Sequence, residues 1–486
     1  MKKNGKKYRK IQREKEIRKE QNYLESIAME QEVDGINISF LAISHIVVNN
    51  PVMRESEERK RKYLDRLETY LKAGKWNRRK YESAELLAYE KIILGSDEIC
   101  GEHDISYYKY YILLDFMHLL GYEVKASDEP RLELVKAKYY EDFRDCGINQ
   151  EFVNKLFRAF RGNERDKYKK LKALSKSVVI DEERQYIQLI LKNLYFKDQL
   201  PAGVMVTATM SAGKSTFINA LTGKYICLSQ NMACTSKIHS IVNKVYEDGY
   251  AYEYDHDLVL TAGKEELLND NTLNGSDKIV VGVHFDGRLK GHRIIIHDSP
   301  GVNFSGDQEH KVITDKLLKG KKYQLLIYVM NATQLGTNDE SDHLDFVKKT
   351  IGRTPVLFVV NKIDSFNVEE ENLEEALQRQ IEFLKKKGFK NPMVCPVSAK
   401  AGYLSKRFIN GSLSRADERE LYNFVDKFER MGLPTYYEKY IKKIRIDDVE
   451  REEEQLQKTC GLAYVEKIIG AMTTGGKGNG SGIHEI

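Results

Sequence analysis

Cysteine is the first scarcity. The six cysteines, at 100, 146, 227, 234, 395 and 460, lie far apart with no C-x-x-C pair, so neither a disulfide framework nor a zinc site is encoded and reduced thiols are expected. Long apolar runs are missing as well. The longest, such as "INISFLAISHIVV" at 36 to 48, is broken by polar residues and falls short of the roughly 20 needed to span a bilayer. The opening "MKKNGKKYRKIQREKEIRKE" has no apolar core for a secretion signal and too much glutamate for a transit peptide, which points to a cytoplasmic protein. A body-wide excess of one charge is absent too. The net charge is +5, but residues 1 to 20 hold ten Lys/Arg against three Glu, a net +7, which leaves the rest of the chain at −2. A nucleic-acid footprint is thus not written on the body. The basic arm can touch phosphate, lipid or acidic protein, or simply be a solvated helix.

At 486 residues, 41% hydrophobic and 31% charged, the chain is long enough for two or three domains with their own cores. From about 20 to 197 the periodicity is helical: Leu64, Leu67 and Leu71; Phe152, Leu156, Phe157 and Phe160; and Tyr186, Ile187, Ile190, Leu191 and Leu194. Between them "SYYKYYILLDFMHLLG" (106 to 121) is apolar on most sides and ends at a glycine suited to a helix C-terminus. It reads as the central helix of a bundle whose tyrosines serve the core, and no catalytic cluster stands out in this half.

After Pro201 short β-rich runs alternate with helical stretches. "GVMVTAT", "KIVVGVHF", "HRIIIHD", "YQLLIYVMN", "TPVLFVVN" and "PMVCPVSA" are apolar on both faces, as strands of a parallel sheet covered by helices are. "SRAD" from 414 is suited to cap a helix through Leu421, Phe424, Val425 and Phe428; further helices are expected at 434 to 445, 448 to 458 and 462 to 472. The expected organisation is a basic arm (1 to 20), a helical domain (21 to 197), a mainly parallel α/β nucleotide-binding domain (198 to 405), a helical extension (406 to 472) and a flexible tail (473 to 486).

The chemistry lies in a series of loops that follow strands. In "ATMSAGKST" the backbone N–H groups of Ala212, Gly213, Lys214, Ser215 and Thr216 would cradle phosphate, Lys214 would neutralise the β/γ oxygens and Ser215 would reach magnesium. The loop's first glycine is replaced by Ala208, tolerable if its backbone stays in the β region. "DSPG" follows "RIIIH": Asp298 would hold a magnesium-bound water and the Gly301 N–H would meet the γ-phosphate. "NKID" follows "VLFVV": Asp364 would accept N1–H and the 2-amino group of guanine, a donor pair adenine lacks, while Asn361 braces the loops and the Lys362 stem covers the base. In "VSAK" Ser398 would shape the loop beside Ala399 and Lys400, with the Ala399 N–H toward guanine O6. Thr235, or Ser236 beside it, would give a second magnesium ligand, or else caps a turn. Four such motifs at strand ends of one parallel sheet converge where these sheets bind ligands, and the expected ligand is GTP.

These motifs, "SAGKSTFINALTG", the threonine loop, "DSPGVN" and "NKID", resemble the GTPase domain of the dynamin superfamily, bacterial dynamin-like proteins in particular, over roughly 200 to 405, with "CGLAYVEKII" (460 to 469) as its closing helix. The resemblance implies magnesium-dependent hydrolysis of GTP to GDP, often stimulated when two GTPase domains meet face to face. It implies for Ser211 a role on the phosphates and on a charge-compensating monovalent cation. Three departures stand out: Ala208 for glycine, Met210 where eukaryotic dynamins have glutamine, and little chain after the closing helix, so any stalk is expected from the N-terminal half. In small switch GTPases the residue after D-x-x-G is a water-orienting glutamine, whereas here it is Val302, leaving Asn303, Ser305, Gln308, His310, His297 and His239 as nearby polar groups. Three readings stay open: an assembly-driven GTPase acting as a homodimer or larger assembly, peripheral to an anionic membrane; a GTP-gated module with a protein partner; and an Era/TrmE-type GTPase on RNA or ribosomes, which lacks a recognisable RNA-binding module here.

Overall fold

The computed structural model describes residues 43, 45–78, 80–96, 103–121, 126–159, 164–178, 181–197, 202–227, 238–254, 258–263, 278–299, 314–315, 317–320, 323–367, 372–431, 433–441 and 452–473. Two units emerge, one within Asn37–Asp198 and the other from Gln199 onward.

The second unit is built on a nine-stranded sheet. Its strands are β1 (Ala202–Ala208), β2 (Ile238–Asn243), β3 (Ala251–Tyr254), β4 (Leu258–Ala262), β5 (Lys278–Val283), β6 (Ile294–Asp298), β7 (Leu325–Asn331), β8 (Val356–Asn361) and β9 (Met393–Val397). They lie in the order β4-β3-β5-β2-β6-β1-β7-β8-β9. From β6 to β9 every pairing is parallel. All residues of β1 and β7 are buried, as expected for strands covered on both faces. All six expected strands are present. Direction is where the structure differs: β2 runs antiparallel to β6, so β5, parallel to β2, opposes the central strands. The antiparallel β3–β4 hairpin on that side is absent from the expectation: β3 is Ala-Tyr-Glu-Tyr, with a charged residue inside four, and β4 is a run of only five, Leu-Val-Leu-Thr-Ala.

Eight helices among the described residues accompany the sheet. After the seven of the first unit, numbered below α1 to α7, they are α8 (Lys214–Thr222), α9 (Asn338–Thr350), α10 (Leu373–Lys386), α11 (Ala399–Ile409), α12 (Arg415–Arg430), α13 (Leu433–Tyr440), α14 (Glu452–Thr459) and α15 (Leu462–Thr473). The Ser414 hydroxyl caps α12 by accepting from the Asp417 N–H, and Leu421, Phe424 and Phe428 of that helix are buried. The boundary expected at 405 falls inside α11. α15 packs on β1 and β9. Its entry requires Gly461: φ is +84°, and a Cβ there would stand 2.1 Å from the Pro396 carbonyl oxygen of β9.

The first unit is helical: α1 (Glu57–Ala73), α2 (Lys80–Leu94), α3 (Lys109–Leu119), α4 (Glu129–Asp142), α5 (Gln150–Ala159), α6 (Glu164–Ser177) and α7 (Asp181–Lys197). The expected stripes face inward, with Leu64, Leu67 and Leu71 of α1, Phe152, Leu156 and Phe157 of α5 and Tyr186, Ile187, Ile190, Leu191 and Leu194 of α7 buried; Phe160 is outside the described residues. α3 is buried from Tyr110 to Leu119, and Gly121 at φ +63° ends it. Asp115 lies at its centre, fully buried. The carboxylate accepts from Tyr63 Oη at 2.5 Å, Asn50 Nδ2 at 2.8 Å, Tyr89 Oη at 3.2 Å and Tyr186 Oη. Burial pushes its pKa up to about 6, although these hydrogen bonds pull the other way. No helix among the described residues is long and apolar enough to cross a membrane.

Candidate nucleotide site

β1 runs into the phosphate loop. Ala208 is its last residue, paired with Val329 of β7, and its φ is not positive, so the missing first glycine costs no backbone strain. Two residues in the turn do require the left-handed region. Ser211 takes φ +62° and is exposed, an uncommon conformation for a side chain with a Cβ. Gly213 takes φ +83° as the N-cap of α8. A Cβ on Gly213 would lie 2.6 Å from Asn361 Nδ2 and 3.5 Å from Lys362 Cε, so sterics and conformation both demand glycine. Amides at the start of α8 lack intrahelical acceptors and face the same end of the helix, a geometry that suits an anion. Ser215 and Thr216 are half-buried in that first turn, Ala212 is buried, and Met210 is exposed at 46%.

At the end of the neighbouring strand β6, the Lys214 ammonium is bonded to the Asp298 carboxylate, with side chains only 9% and 3% exposed. Cys227 Sγ approaches Asp298 Oδ2 at 4.0 Å. Burial first, then the Asp298 carboxylate, pushes that thiol far above its ordinary pKa, so it is inert as a nucleophile. The Asn219 side chain pins the Cys227 backbone on both sides. Ser299 ties the segment after β6 back to β1 through its N–H and hydroxyl on the Val206 carbonyl, at 3.2 and 3.1 Å. His297, a polar group noted above, is buried with Nδ1 3.1 Å from Ser240 Oγ; His239 pairs with Asp298 across β2 and β6.

The third and fourth loops meet through Asn361. Its Nδ2 donates to the Ala212 carbonyl at 3.0 Å and the Gly213 carbonyl at 3.3 Å, while Oδ1 accepts from the Ala399 N–H at 3.0 Å. The Ala399 N–H, assigned above to guanine O6, is therefore already engaged, and a base carbonyl would share that proton. Lys362 takes φ +67° and opens a 3-10 turn over Ile363–Ser365. Asp364 is half-exposed: Oδ1 accepts from Ser398 Oγ at 2.6 Å and Oδ2 from Ser365 Oγ at 3.2 Å. Fully buried Ser398 also caps α11, accepting from the Ala401 N–H. Lys400 points outward to Glu420 of α12.

The described loops thus gather at the C-terminal ends of β1, β6, β8 and β9. Thr235 and Gly301 lie outside the described residues, as do Ser236, Val302, Asn303, Ser305, Gln308 and His310. Sequence reasoning missed Cys227 and Lys427, whose ammonium donates to the Asp364 carbonyl oxygen at 2.5 Å. Neither belongs to a motif; Cys227 is brought in by the short return after α8, and Lys427 by a contact across 63 residues.

A search of curated proteins finds no match to this chain. Among solved structures, an oligomerised bacterial dynamin pair, described as providing a mechanism for the long range sensing and tethering of membranes, shares 15% identity, covers 87% of this chain and 60% of its own, and superposes with a TM-score of 0.35. The bacterial selenocysteine-specific elongation factor EF-Sec shares 19%, covering 43% of this chain and 28% of its own at a TM-score of 0.24. The chain therefore spans less than two thirds of the length of either. The model of the dynamin family matches residues 204–363, from within β1 to the start of the loop after β8, just short of Asp364. Over those residues the chain is similar to the dynamin family.

Proposed function

We propose that the chain binds GTP with Mg2+ and hydrolyses it to GDP and phosphate, with turnover stimulated by self-assembly of its GTPase domains or by a partner. The observation that carries this reading is the Asn361 side chain, which ties the phosphate loop to the base-side loop and so fixes the spacing a nucleoside triphosphate has to span. The donors suit the metal. Ser215 offers a hydroxyl and Asp298 a buried carboxylate already matched with a cation, hard oxygen ligands of the kind Mg2+ takes together with water and phosphate. No group of three His, Cys, Asp or Glu that would form an all-protein cage occurs among the described residues. When bound, Mg2+ would offset charge on the β- and γ-phosphate oxygens. Lys214 would move from Asp298 to those oxygens, the amides of 212 to 216 would orient the phosphates, and Ser211 would meet them from its left-handed turn, with a monovalent cation as a further counter-charge. Asp364, held by Ser398, would accept the two guanine N–H groups, with Lys362 over the base and Ala399 and Lys400 at its edge. Thr235 and Gly301 are assigned to the metal and γ-phosphate on sequence alone.

Val302 cannot hydrogen-bond to water, so another group must orient the nucleophile. We therefore expect turnover per molecule to rise with protein concentration and to respond to potassium or sodium. Phosphate release by the full chain, measured over a hundredfold concentration range in either salt, tests this; a flat rate per molecule counts against assembly and favours an external activator. The proposed location is cytoplasmic and peripheral to membrane. Deleting residues 1 to 20 should remove salt-sensitive binding to anionic liposomes, to which each Lys/Arg brings about 1 kcal/mol near an acidic surface, while solution turnover stays unchanged. Retention of the intact chain by RNA instead of liposomes would turn the reading to RNA, and retention by neither to a protein partner.

A further inference from the structure

We propose that Lys427 is a positioning residue for guanine recognition, by which helix α12, outside the stretch matched to the dynamin family, sets the affinity and selectivity of the base pocket. The inference rests on the reading of Asp364 as the guanine acceptor. α12 packs on the 3-10 turn that carries Asp364, and Lys427 donates to the Asp364 backbone carbonyl at 2.5 Å. The turn needs such a brace. It starts from Lys362 at φ +67°, a conformation a side chain with a Cβ adopts only when its surroundings hold it there. Recognition of guanine needs both Asp364 oxygens aligned with two N–H groups at once, and hydrogen bonds weaken steeply as that alignment degrades. Ser398 and Ser365 hold the carboxylate, and Lys427 holds the carbonyl on the same residue from outside the loop. Lys427 is itself well placed to hold still. Its neighbours Phe424 and Phe428 are buried in the core, their rings 5.9 Å apart, so α12 cannot shift without disturbing the sheet's packing. A charged donor on a carbonyl is the stronger kind of hydrogen bond.

The test uses the full chain and compares GTP with inosine triphosphate, which lacks the 2-amino group. A pocket that relies on hydrogen-bonding a substrate N–H rejects the analogue without it. Lys427→Met should raise the KM for GTP by about tenfold, lower the preference for GTP over inosine triphosphate severalfold, and leave kcat within about twofold; Lys427→Arg should restore most of both. A helix that merely stabilises the fold would not change the base preference. An unchanged GTP-to-inosine-triphosphate ratio in Lys427→Met, or a kcat that falls in step with affinity, overturns the inference. If Lys427→Met does not fold, Lys427→Gln, which keeps a neutral donor, is read in the same way. Asp364→Asn in the same assay separates the two levels. If it gains xanthosine triphosphate while Lys427→Met leaves the ratio unchanged, the brace is wrong and the base-loop reading stands; if it keeps its preference for GTP, the base-loop reading fails and the inference with it.

Discussion

In the nucleotide unit the buried Asp298 faces the ammonium of Lys214, whereas in the helical unit the buried Asp115 faces uncharged donors, the hydroxyls of Tyr63, Tyr89 and Tyr186 and the amide of Asn50. Both carboxylates are almost completely withdrawn from water, yet the two arrangements differ in what they permit. Under the proposed function the ion pair between two elements is exchangeable, because Lys214 would leave for phosphate when another cation arrives. A carboxylate whose oxygens are filled by four neutral groups on separate segments is closed. It fastens the segment at Asn50, α1, α2, α3 and α7 together and offers no room for substrate chemistry. Burial of a charged group is therefore no mark of a functional site by itself; what matters is whether its partner is able to move.

The largest effect that would break this comparison is expected at Lys214. Lys214→Ala should abolish hydrolysis and weaken triphosphate binding, and it also leaves Asp298 buried without its cation, for which removal of one partner of a buried pair costs about 3–5 kcal/mol. Urea unfolding with and without Mg2+ would then show the variant recovering stability when the metal is present. Normal phosphate release by Lys214→Ala would sink the catalytic reading of the pair, and Asp298 would stand with Asp115 as a structural carboxylate.

The next effect belongs to Asp115 and is read by pH. Its pKa, raised to about 6 in the folded chain, exceeds that of an unfolded aspartate, so the folded state binds the proton more tightly. Its contribution to stability is therefore full below about pH 4 and is lost as pH rises through about 6, in total on the order of 3 kcal/mol. Asp115→Asn cannot titrate. The stability of the parent relative to this variant should fall as pH rises from 4 to 6 and then level off, as measured by chemical denaturation of both at matched ionic strength. Parallel curves over that range would show that the carboxylate is not withdrawn from water as described.

How much of each unit was legible beforehand follows from how local its physics is. Six of the nine strands could be read because each is a short apolar block bounded by polar residues, and the polar motifs that follow β1, β6, β8 and β9 stand out because they interrupt those blocks. Strand direction could not be read. "HSIVNKV" looks alike in either orientation, and only pairing with β6 makes β2 antiparallel. In the helical unit the stripes around Leu64, Phe152 and Tyr186 gave the inward faces, but the partners of Asp115 lie 26 to 71 residues away. The one available signal, a single aspartate in "YILLDFMHLL", announces a buried polar group without naming what satisfies it. Lys427 is a case of the same kind, an ordinary lysine in a charged helix whose partner is a backbone carbonyl.

The smallest effect sharpens the comparison at the surface. Glu420 of α12 pairs with Lys400, but their side chains are 37% and 51% exposed, and an exposed pair of this kind is worth about 0.2–1 kcal/mol because water and salt screen it and both side chains lose freedom in making it. Glu420→Gln should therefore change stability by less than about 1 kcal/mol and leave the KM for GTP within about twofold at physiological salt, even though it acts on the same helix and the same end of the sheet as Lys427. Denaturation midpoints and GTP titration of this variant beside Lys427→Met provide the check. If Glu420→Gln weakens GTP binding as much as Lys427→Met does, then the base loops respond to any disturbance of α12, and the distinction between one partly buried donor that positions Asp364 and a solvated ion pair nearby is lost.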